Sequence, residues 1–281
     1  MGTGLATYYD RLGRWNRVAH AIGHGGGSSS FTVHRALADP RADGRATFTR
    51  LHDILVEELP SLRAPRLLDA GCGLGGTMFA AVEAWGATCT GLTLSASQAR
   101  TANAEAARRQ LSTQVRAIEG TYDLPPRGPF DVIVAIESLA HSPDPAVSVA
   151  ALAAVLAPGG TLVVVDDMPV PGAEASDDLG VFKAGWQCPV LWSEAAYREA
   201  FTRASLEHVR RRDLSADCRP RSTTGITALL ALNHLARRVS PGPLRQVLAS
   251  HRGGLALERL SRAGLVRYTL LIARRPELQV S

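Results

Sequence analysis

The stretch "LLDAGCGLGGTM", Leu67 to Met78, decides the fold. An apolar run ends at Asp69, and Gly71, Gly73, Gly75 and Gly76 turn the chain into the helically spaced "GTMFAAVEAW". Glycine is needed where φ is positive or where the backbone approaches a ligand more closely than a Cβ permits. Taken alone, Gly71-x-Gly73-x-x-Gly76 also satisfies the dinucleotide fingerprint. Two features separate the readings. Asp69 stands two residues before the first glycine, where dinucleotide folds usually carry an apolar residue. The acid expected about 20 positions on, for a ribose, is absent, and "TGLTLSASQ" offers Thr93 and Gln98 instead. A nicotinamide oxidoreductase is disfavoured on that ground.

Downstream of this loop, strand-like and helix-like stretches alternate. "RLLDA", "ATCTGLTL", "QVRAIEG", "FDVIVAI" and "GGTLVVVDD" read as strands, and "ASQARTANAEAARRQL" and "PAVSVAALAAVLA" as helices. Such alternation predicts a parallel sheet covered on both faces. The later chain reads as an irregular stretch over 168–192, a helix from Ser193, a strand near 205–212, helices over about 222–238 and 243–263, and a last strand, "VRYTLLIARR". The expected fold class is α/β: a doubly wound, Rossmann-like, seven-stranded, mostly parallel sheet with an antiparallel edge strand and a helical substrate cap. Upstream, 1–22 has amphipathic helical spacing, Gly23 to Ser30 ("GHGGGSSS") breaks it, and a helix is expected over roughly 45–59. The division expected is a helical cap and lid over 1–62 and a main domain over 63–281, with pocket insertions at about 168–192 and 214–264.

The D-x-G-x-G-x-G loop, "FDVIVAIESLAH" (Phe130 to His141) and "LAPGG" occur in the order and spacing that resemble class I methyltransferases using S-adenosylmethionine (SAM). The resemblance covers 64–167 well and the remainder, to "RYTLLIARR", more loosely. "GLTLSASQ" resembles the branch holding tocopherol, cyclopropane-fatty-acid and geranyl-diphosphate C-methyltransferases, which carries Thr in place of a ribose-binding acid. Carried over, the resemblance implies that Asp69, Gly71, Cys72, Gly73 and Gly75 hold the methionine moiety of SAM. Thr93, Leu94 and Gln98 would lie along the ribose, and Thr121 and Tyr122 near the adenine. Relatives usually have an acid where Thr121 stands, and Asp123 is the nearest substitute.

Composition narrows the class further. The chain has 281 residues and 46% hydrophobic content, enough for a substantial core. Cys72, Cys89, Cys188 and Cys218 form no C-x-x-C pair, which speaks against a disulfide framework or zinc and fits a reducing cytosol. No run approaches the roughly 18–20 apolar residues of a membrane span, and the N-terminus lacks a signal-type apolar core. A cytoplasmic enzyme is expected, with a small-molecule substrate, no nucleic acid, no membrane, no metal ligand cluster and a homodimeric state. Net charge is +5, carried by arginine with a single lysine, Lys183. That suits an anionic small substrate and does not demand a nucleic acid.

Glu137 follows the buried-looking run "VIVAI", and an ionised carboxylate at the edge of an apolar interior is costly unless paired or used. Methyl transfer is an in-line displacement governed mostly by alignment. An oxygen or nitrogen acceptor needs at most a base, whereas an alkene carbon leaves a cation to be stabilised and then deprotonated. Glu137 and His141 are the catalytic candidates, Glu137 as base or cation stabiliser. Trp186 and Trp192, in the segment read as irregular, are candidate pocket walls, together with Tyr9 and Trp15. Tyr197 and Phe201, four apart on a helix, read as core. His34 and Arg35 behind the Gly/Ser loop, with Arg219 and Arg221 in "CRPRST", are candidate anion contacts. The leading expectation is C-methylation of an isoprenoid such as a prenyl diphosphate, with Mg²⁺ arriving on the diphosphate. The alternative is an O- or N-methyltransferase of a natural-product scaffold.

Overall fold

A computed structural model describes residues 31–32, 34–240 and 242–277. The helix expected over 1–22, the glycine-serine run to Ser30, and the candidates Tyr9 and Trp15 lie outside them. The described chain opens with a small antiparallel ribbon, β1 (Leu37–Ala38) and β2 (Ala46–Thr47), in which Leu37 lies opposite Thr47. Helix α1 (Arg50–Glu58) follows. The helix expected over 45–59 therefore starts later, because Ala46 and Thr47 are spent on strand pairing with β1.

The main sheet is built from β3 (Arg66–Ala70), β4 (Thr88–Thr93), β5 (Val115–Glu119), β6 (Phe130–Ile136), β7 (Leu156–Pro169), β8 (Glu207–Asp213) and β9 (Val266–Arg274). Its order is β5-β4-β3-β6-β7-β9-β8. The pairs from β5 across to β7 are parallel, and β9 runs antiparallel to both β7 and β8. The antiparallel pairing expected at one edge is thus the β9–β8 pair, with the reversed strand one place in from the rim.

Side chains alternate across each strand, so a sheet covered on both faces splits every apolar run between two cores. Val132 and Val134 join one core with Leu67, Val163, Val165 and Ile54 of α1. Ile133 and Ala135 join the other with Leu68, Leu162 and Val164. Helices α2 (Gly76–Trp85) and α3 (Ala96–Arg108) close the first face through Met78 and Ala102. Helices α4 (Pro145–Ala154) and α6 (Glu194–Arg203) close the second through Leu152 and Phe201. Each such aliphatic side chain stabilises the fold by about 1.5–3 kcal/mol when fully buried. Starts of helices are marked locally: Ser95 Oγ caps α3 at the Gln98 N–H, and Asp144 caps α4 ahead of Pro145.

The region read as irregular, 168–192, is not. Strand β7 continues to Pro169, and α5 (Asp177–Trp186) occupies its middle. Gly180 and Gly185 lower the helix propensity there and hid it. Gly185 has a packing reason: a Cβ on it would lie 2.6 Å from the Ala249 carbonyl and 2.9 Å from Gly253 Cα. That close approach seats α5 on α8 (Gly242–Arg262), which follows α7 (Thr223–Val239). Together α5 and α8 form a helical cap above the carboxyl ends of β6 and β7. No helix among the described residues is long and apolar enough to cross a membrane.

Candidate functional site

The site has a glycine-loop side and a cavity side, joined at the carboxyl end of β6. On the loop side, Gly71, Gly73 and Gly75 have φ of +120°, +51° and +93°. A Cβ on Gly71 would sit 2.4 Å from Ser138 Cβ, so the turn closes only on glycine. Ser138 in turn donates its hydroxyl to the Ala70 carbonyl at 2.6 Å and accepts the Tyr122 hydroxyl on its own carbonyl at 2.9 Å. The Asp69 carboxyl is buried, its Oδ2 has no hydrogen-bond partner, and burial raises its pKa to about 7. A buried, unpaired carboxyl oxygen beside a glycine turn is a receptor for a cationic donor.

Thr93 and Gln98 meet, the Thr93 hydroxyl donating to Gln98 Oε1 at 2.6 Å, and half-exposed Leu94 lies between them. Cys72 is buried against Gly91, where any Cβ would lie 2.6 Å from its sulfur. Thr121 Oγ1 accepts the Asp123 N–H at 3.2 Å, while the Asp123 carboxylate accepts the hydroxyl of Ser148 on α4. Asp123 is thereby committed to α4. Tyr122 is buried beneath the loop, its hydroxyl turned to Ser138.

On the other side lies a cavity of about 330 Å³, lined by residues including Glu137, His141, Asp166, Asp167, Trp186 and Arg219. Its organiser is Glu137, whose φ of +49° is rare for a residue with a side chain. Glu137 Oε1 accepts the main-chain N–H of Arg35 and the hydroxyl of Tyr268, both at 2.8 Å. The Arg35 guanidinium reaches both oxygens of Asp167 at 2.8 Å and lies 5.0 Å from the centre of the Tyr268 ring. Asp167 Oδ atoms therefore have a full counter-charge, and burial, opposed by Arg35, leaves the pKa of Asp167 at about 6.

Its neighbour Asp166 accepts the Tyr197 hydroxyl at 2.9 Å and the Asp167 N–H at 2.9 Å. Burial and then the Asp167 charge push the Asp166 pKa up to about 7. Burial lowers His141 to about 4, and its ring donates to the Gln187 carbonyl. Cys188 Sγ lies 3.8 Å from His141 Nδ1. His34, also in the wall, is 3.3 Å from His52 Nε2, and His52 is 3.4 Å from Thr77 Oγ1 at the start of α2. Burial holds both imidazoles neutral, with pKa values of about 4 and 3.

The structure thus brings Glu137, His141, His34, Arg35, Trp186 and Arg219 to one cavity. Two candidates fall elsewhere. Trp192, expected as a second wall, stacks edge-on against Tyr197 at 5.5 Å and packs on the sheet core. Arg221, expected at an anion, forms an ion pair with Glu258. Trp186 is not in irregular chain but is the last residue of α5.

A methyltransferase domain family matches residues 34–211, more than half of the chain. A probable tocopherol O-methyltransferase of Oryza sativa subsp. japonica is 28% identical over 98% of this chain and 78% of its own length. The 27-O-demethylrifamycin SV methyltransferase of Amycolatopsis mediterranei is 32% identical over 87% and 89%. The chain belongs to the methyltransferase family and is a SAM-dependent methyltransferase. Among solved structures, a geranyl diphosphate C-methyltransferase from Streptomyces coelicolor, with Mg²⁺, geranyl diphosphate and S-adenosylhomocysteine, shares the fold at a TM-score of 0.73. It is 21% identical over 98% of this chain and 97% of the other.

The residues of this methyltransferase fit SAM. The unpartnered Asp69 oxygen suits the ammonium of its methionine end, and the positive-φ glycines leave the backbone bare beside it. Sequence reasoning missed Asp166, Asp167, Tyr268 and Cys188. The first two carried the signal that singled out Glu137, acids ending an apolar strand in "VVVDD". Tyr268 and Cys188 carried none, because their partners are distant in the chain.

Proposed function

We propose that this methyltransferase acts on a hydroxyl of a small, largely apolar scaffold, with His141 as proton acceptor. The observation that carries this reading is a neutral, oriented imidazole in the cavity wall. Burial lowers its pKa to about 4, so His141 is unprotonated at neutral pH, and its contacts with the Gln187 carbonyl and, 3.8 Å from Nδ1, the Cys188 sulfur hold the ring in the wall. Bound SAM supplies an electrophilic methyl group on its sulfonium. A hydroxyl oxygen is a weak nucleophile until its proton has a destination, and a positioned base contributes roughly 10²–10⁴-fold. Trp186 and Phe182 supply apolar wall for the scaffold.

Charge favours a hydroxyl over a prenyl diphosphate. Of the two guanidiniums in the wall, Arg35 is already matched by Asp167, and Glu137, Asp166 and Glu258 add carboxyl groups. A diphosphate would meet like charge there. Mg²⁺ belongs only to the diphosphate reading. Glu137, with two donors on one oxygen, serves as a positioning residue for the segment that carries Arg35. The tocopherol O-methyltransferase relative, named for transfer to oxygen, points the same way.

The test is transfer from isotope-labelled SAM to phenols, alcohols, amines and prenyl diphosphates, read by mass spectrometry. A labelled methyl ether is expected, and His141→Gln is expected to lower kcat by about 10²–10³ with S-adenosylhomocysteine affinity unchanged. Mg²⁺-dependent transfer to a prenyl diphosphate carbon would restore Glu137 as base and end the hydroxyl reading. An unchanged kcat in the His141 variant would remove the proposed base.

A further inference from the structure

Outside the site, the strongest unexplained feature is the charge of α7 and α8. Between Asp217 and Glu258 the chain carries six arginines and no acid, although the whole protein is only +5. Arg219 faces the cavity and Arg221 is held by Glu258. The other four, Arg237, Arg238, Arg245 and Arg252, surround an open hollow of about 380 Å³ with His234. Several arginines elsewhere are matched by acids: Arg66 with Asp131, Arg210 with Glu58, Arg211 with Glu194. Here, among the described residues, no acid lines the hollow, and the contact recorded is Arg245 Nε to the Ser240 carbonyl at 2.8 Å.

Beside these cations α7 exposes Leu232 (63%) and Leu235 (61%), three apart on one helix face. Among the described residues the other exposed large apolar side chains, Val56, Leu124 and Val147, stand singly, far apart in the sequence. We propose that the α7–α8 face docks on an anionic membrane surface, with the arginines against lipid phosphates and Leu232 and Leu235 in the interfacial layer. Clustered cations without acids repel one another and are relieved by a negative counter-surface. Nucleic acid or a free phosphate would satisfy the arginines but give nothing to the leucines, whereas a helix lying in a lipid interface uses both. Each arginine at such a surface strengthens partitioning about fivefold.

Docking is distinct from crossing, and it reverses the sequence expectation of no membrane partner. It does not depend on which atom is methylated. It does bear on supply: Gly254, Leu257 and Ser261 of α8 line the acceptor cavity just beyond Arg252 in the same helix. A docked molecule holds its cavity close to lipid, where apolar acceptors concentrate.

The test is sedimentation of the full chain with phosphatidylcholine–phosphatidylglycerol vesicles and with phosphatidylcholine alone. Partitioning at least about tenfold stronger onto the anionic vesicles is expected. Arg238→Glu with Arg245→Glu should abolish it, and Leu232→Ser with Leu235→Ser should weaken it severalfold, both with unchanged thermal midpoints. Equal sedimentation with both vesicles, or none with either, overturns the proposal. So does anionic binding that survives the leucine changes, which would mark a purely electrostatic patch for an acidic partner.

Discussion

Around Asp69 the chain makes its site from neighbours, Asp69 through Gly76, whereas around Glu137 it needs Arg35, Asp167 and Tyr268. The first is a matter of backbone, in which three positive-φ glycines and an unpartnered carboxyl make a receptor within one turn. The second is a matter of side chains, in which a carboxylate ties residues 102 positions before and 131 positions after it. The difference teaches where change is tolerated. A backbone receptor accepts one cofactor and resists substitution, while a wall of side chains from distant elements can be rebuilt for another acceptor.

The largest expected effect lies on the side-chain half. Arg35→Met leaves Asp167 buried without a counter-charge, a loss expected to cost about 3–5 kcal/mol in urea unfolding. The cost should shrink at pH 5 relative to pH 8, because Asp167 escapes it by taking a proton. If S-adenosylhomocysteine binding stays within a fewfold of the parent in this variant, the two halves are energetically separate; a hundredfold loss would break the comparison.

Next comes the backbone half. Gly71→Ala puts a methyl group into Ser138 at a φ of +120°. Affinity for S-adenosylhomocysteine, read by calorimetry, should fall by at least about a hundredfold with a stability loss of about 2–4 kcal/mol. Retained affinity would mean that the loop can shift, and the distinction between rigid backbone and adaptable wall would fail.

The smallest effect sharpens the comparison through pH. His34, His52 and His141 have pKa values lowered to about 4, 3 and 4, so between those values and about 6.5 the unfolded chain binds more protons and stability falls as pH drops. Asp69, Asp166 and Asp167, raised to about 7, 7 and 6, act oppositely: their contribution is present below about pH 4 and is lost as pH rises through the folded values. The two sets oppose each other over about pH 4–6.5, and a shallow stability profile is expected there. His52→Gln removes one histidine from the balance and should gain about 2 kcal/mol relative to the parent between pH 6.5 and 4.5. A parallel pair of profiles would show that His52 is not held neutral by the fold.

What could be read in the sequence follows the same division. The glycine loop, the alternation of strands and helices that follows it and the use of SAM were legible because they are written in consecutive residues. Glu137 was legible as an anomaly, but its partners were not: Arg35 was singled out for an anion and is consumed by Asp167, and Tyr268 lay inside a stretch read only as strand. Helix α5 was hidden by two glycines, one of which exists for contact with Gly253. The charge of α7 and α8 was missed: its signal is the lack of acids between Asp217 and Glu258, which counting cations alone does not give.

The hydroxyl that Tyr268 lends to Glu137 comes from the last strand of the sheet to be made. During synthesis the glycine loop is made about 190 residues ahead of Tyr268, so the tie on Glu137 is completed only after every other strand of the sheet. Translation that stops between β8 and β9 would leave out Tyr268 and, with it, the strand that pairs with both β7 and β8.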